Sequence, residues 1–149
     1  MTWPITWSKS GANYGVSGTN ARGNPWRVAV ERPQAGTRAV QRVLALTRGG
    51  LATSGDYRNF FDHGGRRYSH TIDPATGAPV THATASVTVL APKAGVADAL
   101  ATALLALGAE AGMRLAESEG VAAYFVVRNP DGTFATEVSP AFAEALLSP

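Results

Sequence analysis

Residues 83–108 read ATASVTVLAPKAGVADALATALLALG, and the change of character halfway along this run decides the fold class. Its first part, closed by Pro92, is rich in Val and Thr, the β-branched residues that pack well on a pleated surface. From Gly95 onward Ala and Leu dominate, with Val96, Leu100, Leu104 and Leu107 at helical spacing and Gly108 as a stop. The following AEAGMRLAESEG predicts a second helix.

Upstream, PWRVAVERP alternates Trp26, Val28 and Val30 against Arg27, Ala29 and Glu31, the period-two pattern of a half-buried strand ended by Pro33. A second strand is expected over 40–47, then a turn at Gly49-Gly50 and a third short strand over 51–53, together a meander. A hairpin is expected between residues 57–62 and 67–70, joined at His63-Gly64-Gly65-Arg66. The first 25 residues lack periodicity and read as loop, with a short strand near Tyr14 to Val16. Trp3 and Trp7 either plug a core or cover a surface that meets something else. Downstream, VAAYFVVRNPDGTFATEV predicts a hairpin around Asn129-Pro130-Asp131-Gly132, and residues 140–147 a terminal helix. The pieces make an α+β architecture, a mostly antiparallel sheet with helices packed on one side.

A chain of 149 residues suits a single domain spanning 1–149. With 45% hydrophobic and 16% charged residues it carries enough apolar material to fold. The positive charge is spread over scattered arginines and forms no basic run, so no nucleic-acid partner is expected. The absence of cysteine removes disulfides, thiolate catalysis and a lipid-anchored Cys. No signal peptide and no apolar run of transmembrane length stand out, which gives a cytoplasmic expectation for the chain as written and no membrane span.

The chemistry is expected in the stretch 51–79, LATSGDYRNFFDHGGRRYSHTIDPATGAP, where turn residues alternate with short β pieces and polar groups crowd between them. His70 lies between a strand end and the turn Asp73-Pro74-Ala75-Thr76-Gly77. Its imidazole either serves as a base near neutral pH or bonds the turn's backbone. Asp73 is placed to cap that turn with its carboxylate. Ser54 and Gly55 can offer a hydroxyl and backbone N–H groups to a phosphate. On the Ala/Leu helix, Asp98 and Thr102 are spaced i, i+4 and face the same way. As hard oxygen donors they suit Mg²⁺, which keeps waters and takes further ligands from substrate phosphates. The competing reading makes Asp98 an early-turn residue favoured by the helix dipole and Thr102 a hydroxyl bonded back to its own helix.

Three ordered motifs, TSGDYRNFF, GGRRYSHTIDPATGAPV and ASVTVLAPKAGVADALATALLALG, resemble the C-terminal half of the ApbE family, the FAD:protein FMN transferases. The resemblance extends to GNPWRVAVERP and to the closing VAAYFVVRNPDGTFATEVSPAF. It implies a transferase that takes FAD with Mg²⁺ and joins FMN to a Ser or Thr hydroxyl of an acceptor flavoprotein, releasing AMP. Residue by residue, Asp98 and Thr102 match the family's side-chain metal ligands, and His70 matches the histidine beside flavin and phosphates, the candidate catalytic base. Ser54, Gly55 and Tyr57 match the TSGxY motif, and Asp73 and Gly77 fall in the flavin-binding set. The family's N-terminal half has no counterpart here, including the glycine- and lysine-containing segment of the FAD pocket, and its Gly-Gly-Asp is altered to Ser10-Gly11-Ala12. A missing half or a second chain is therefore an expected partner. The alternatives are Mg²⁺-dependent hydrolysis of FAD to FMN and AMP, or a non-catalytic flavin-binding or interaction remnant.

Overall fold

The structure, a computed structural model, describes residues 12–34, 39–56, 60–64 and 66–147. Five strands form the main sheet: β1 (Ala12–Ser17), β4 (Arg48–Gly55), β7 (Thr84–Ala91), β8 (Ala122–Arg128) and β9 (Phe134–Val138). They lie in the order β1-β4-β7-β8-β9, and every neighbouring pair is antiparallel. Two further hairpins, β2 (Trp26–Glu31) with β3 (Val40–Leu46) and β5 (Phe60–His63) with β6 (Arg66–Ser69), form separate two-stranded sheets. The helices are α1 (Ala94–Ser118) and α2 (Pro140–Leu147). The α+β class is the expected one.

Alternation along the central strands sorts side chains onto two faces. Ala52, Val87, Val89, Ala123 and Phe125 point to one face, where Ala97, Ala101, Leu104, Leu105 and Ala116 of α1 pack on them. Leu51, Tyr124 and Val126 point to the other, where Val28, Val30 and Leu44 of the β2–β3 hairpin and Phe142 of α2 complete a second core. The placement of the helices is thus finer than expected, since α1 alone covers the first face while α2 joins the hairpin on the second. Ser139 fixes α2 in place. Its hydroxyl donates to the Val121 carbonyl (2.7 Å) and accepts from the N–H groups of Ala123 (2.9 Å) and Phe142 (3.3 Å), so it acts as the helix N-cap while tied to β8.

Gly49 and Gly50 do not make the expected turn, and the meander does not form. Both residues lie inside β4, which pairs with β1 and β7 and not with β3. The physical reason is close approach. A Cβ on Gly50 would fall 2.2 Å from the backbone nitrogen of Ala94, so the start of α1 rests on a strand position that tolerates only glycine. Thr47 alone separates β3 from β4 as the chain passes from one sheet to the other.

Gly108 behaves as the sequence predicts. Its backbone (φ 80°, ψ 169°) breaks α1 into two helical segments, and a Cβ there would lie 2.7 Å from the His82 ring. The second segment starts against β7, with the Ala109 N–H donating to Thr84 Oγ1 at 2.8 Å. By length and composition α1 is apolar enough to cross a membrane, contrary to the expectation that no such run exists. The break leaves two segments, each shorter than the ~20 residues a span requires, and the buried face of α1 packs on the sheet.

Candidate functional site

Thr53 and Ser54 stand at the same end of β4 but face opposite ways. Thr53 is bonded to Thr88 across the β4–β7 ladder, Oγ1 to Oγ1 at 2.8 Å, in a fully enclosed position. Such a buried neutral bond contributes about 1 kcal/mol and pins the strand end. Ser54, two residues beyond the core residue Ala52, therefore faces α1. Its Oγ lies 3.1 Å from Thr102 Oγ1, and the two hydroxyls share a hydrogen bond. Asp98 precedes Thr102 by four residues on the continuous first segment of α1, so its carboxylate issues from the same helix face one turn earlier. Gly55 closes β4 opposite Ser86.

The sequence paired Asp98 with Thr102 by spacing alone. The structure adds Ser54, drawn to Thr102 from a segment 48 residues away. The donors so gathered are a carboxylate and two hydroxyls, all hard oxygens. Among the described residues no group of three or more His, Asp or Glu could hold a metal. This set fits a cation that accepts one carboxylate and fills its remaining positions with water or phosphate, as Mg²⁺ does. It does not fit zinc, which takes nitrogen or sulfur ligands in closed tetrahedra.

His70, Asp73 and Gly77 belong to a separate device between β6 and β7. Asp73 Oδ1 accepts the Ala75 N–H (2.9 Å) and Oδ2 accepts the Thr76 hydroxyl (3.2 Å). The Gly77 N–H donates to the Asp73 carbonyl (2.8 Å), and the Asp73 N–H donates to the Ala78 carbonyl (2.9 Å). A bridge between Ile72 and Pro79 closes the base of the loop. Asp73 thus shapes the turn with both carboxylate oxygens, in keeping with its capping reading, while Gly77 supplies the positive φ of 67° that turns the chain. His70 is exposed at the mouth of this turn. Tyr57 lies outside the described residues, as do Trp3 and Trp7.

One contact beside the motif escaped the sequence reading. The Asp56 carboxylate receives both arms of the Arg128 guanidinium, Nη1 to Oδ2 at 3.2 Å and Nη2 to Oδ1 at 3.0 Å. With the partners 72 positions apart in the chain, no local pattern announces the pair. The signal that could have found it is topological. β4 and β8 both run antiparallel to β7, so their C-terminal ends emerge at the same end of the sheet, on either side of β7.

Comparison with known proteins bears on the family and the fold. The ApbE family model matches residues 9–125. The chain is 44% identical over 133 residues to an FAD:protein FMN transferase of Haemophilus influenzae, covering 89% of this chain and 38% of the relative. It is 44% identical over 131 residues to the Escherichia coli K12 protein of the same name, covering 88% and 37%. Among solved structures, the apo crystal structure of Pseudomonas stutzeri flavinyl transferase ApbE superposes with a TM-score of 0.77 at 44% identity, over 92% of this chain and 42% of that one. The chain therefore spans about two fifths of the length of these relatives. Its three motifs, its sheet and the family model that spans most of its length together establish that the chain belongs to the ApbE family.

Proposed function

We propose that residues 1–149 form one domain of a Mg²⁺-dependent FAD:protein FMN transferase, the part corresponding to the C-terminal region of its relatives. The observation that carries this reading is the meeting of Ser54 with Thr102 one helical turn from Asp98. In the proposed reaction the hydroxyl of a Ser or Thr on an acceptor flavoprotein attacks the FMN phosphorus of FAD. The new P–O ester bond forms as the P–O bond to the AMP phosphate breaks, and AMP leaves.

Asp98 and Thr102 would hold the cation, which when bound offsets charge on the pyrophosphate. Ser54 holds the Thr102 hydroxyl through their shared bond, so that the helix presents its oxygens in one arrangement. His70, exposed on its turn, takes the proton of the attacking hydroxyl, and its exposure suits a nucleophile delivered on another protein. Three residues after His70, Asp73 shapes the turn with both carboxylate oxygens. The remaining three fifths of the relatives' length, from the same polypeptide or a second chain, would complete the flavin pocket.

The test is incubation of the chain, alone and with the complementary region of a relative, with FAD, Mg²⁺ and a Ser/Thr acceptor fragment, read as a mass increase on the acceptor. Asp98→Ala should reduce labelling by more than about 100-fold, beyond the range of outer-shell partners of a metal. Labelling that survives Asp98→Ala sinks the assignment. Omitting the acceptor reads the competing activity, since hydrolysis would release FMN and AMP without it.

A further inference from the structure

The end of β4 that carries Ser54 lies beside the entry of β7, where Ser54 faces Val87 in the ladder. On the β1 side, the described pairing stops where Ala12 faces Thr53. On the β7 side, the ladder ends at Gly55 opposite Ser86. Just beyond, the β7–β8 register shifts between Thr84 and Ser86. The strand end that faces α1 therefore lies where the β4–β7 ladder ends beside an irregularity of the β7–β8 pairing.

The Asp56–Arg128 pair takes over at this point. The Asp56 N–H donates to the Ala85 carbonyl at 3.1 Å, and the Arg128 N–H donates to the Ala83 carbonyl at 2.9 Å, so both residues grip the entry of β7 from either side. Their side chains then close over it with the two-armed contact. β4 and β8, with β7 between them, are separated by about 10 Å, a gap that the long arginine side chain spans. Its guanidinium also lies 5.9 Å from the Phe134 ring centre, which ties the clasp to β9. The side chains are 15% exposed at Asp56 and 31% at Arg128, so the fork is shielded enough to be held in one geometry.

We propose that Asp56 and Arg128 are positioning residues whose paired side chains clasp β4 to β8 across β7 and so hold Ser54 against Thr102, setting the oxygen donors of the α1 site. This rests on the Mg²⁺ reading above, and the experiment separates the two. Asp56→Asn, Arg128→Met and Arg128→Lys are prepared in the full chain. Each is studied by hydrogen–deuterium exchange over residues 52–56 and by calorimetric titration with Mg²⁺ alone.

Breaking the clasp should speed exchange in 52–56 while the β2–β3 hairpin keeps its protection, and should weaken Mg²⁺ binding about tenfold, the lower end of what partners behind a metal ligand carry. Arg128→Lys, which keeps the charge but loses the fork, should fall between wild type and Arg128→Met in both measurements. Faster exchange with unchanged Mg²⁺ affinity would reduce the pair to a structural tie and overturn the proposal. Weaker Mg²⁺ binding with unchanged exchange would make its effect one of charge and overturn it equally. If the wild-type chain binds no Mg²⁺, the metal reading fails and the proposal falls with it, whereas wild-type Mg²⁺ binding that no variant alters overturns the proposal alone.

Discussion

The two halves of the candidate site are built on different principles. Ser54, Asp98 and Thr102 stand on a strand and a helix that meet through a dry core, with Gly50 letting the start of α1 rest directly on β4. His70, Asp73 and Gly77 stand on a turn closed mainly by its own hydrogen bonds. The first half therefore inherits its geometry from long-range packing, and the second carries its geometry locally. The division suits the proposed chemistry, because metal donors lose affinity when displaced by fractions of an ångström, whereas a base that meets a hydroxyl on another protein needs to be reachable.

The sharpest way to break the anchored half is Gly50→Val. Its side chain would collide with backbone at Ala94, which cannot rotate away, and the expected loss is about 3 kcal/mol or more. Urea denaturation measures it, with His70→Ala beside it expected within about 0.5 kcal/mol of wild type. An unchanged midpoint for Gly50→Val would mean that α1 does not depend on this approach. Next in size is Asp73→Ala, which removes two side-chain bonds from the turn and should cost about 1 to 2 kcal/mol of local stability. Faster hydrogen exchange confined to 71–79, with 52–56 unaffected, is the expected pattern, and spread into 52–56 would show that the halves are coupled.

The smallest effect concerns a second turn of the same chemistry. Asp131 Oδ1 accepts both the N–H (2.9 Å) and the hydroxyl (2.6 Å) of Thr133, and chiefly the hydroxyl bond holds its carboxyl below its ordinary value of 3.8. Because the folded value is depressed, the contribution is complete above the ordinary value and disappears as pH falls through the lowered one. Asp131→Asn should flatten that small acid-side slope in melting temperature while leaving the 71–79 turn untouched. An identical slope in the variant would remove Asp131 from the acid response.

How much of this was legible in the sequence follows the same division. The 73–77 turn, the hairpins around Gly64 and around residues 129–132, and the interruption at Gly108 were all readable, because each depends on residues adjacent in the chain. The i, i+4 spacing of Asp98 and Thr102 was readable for the same reason. Gly49-Gly50 was misread because a glycine pair in a turn and a glycine under a helix look alike until the helix is in place. The contacts of Ser54 with Thr102 and of Asp56 with Arg128 join segments whose adjacency exists only after β4, β7 and β8 are ordered in the sheet.

The single residue between β3 and β4 has a mechanical consequence. One residue spans at most about 3.6 Å, so Thr47 leaves no slack between the outer hairpin and the strand that ends at Ser54. The β2–β3 hairpin is in effect a handle on that strand.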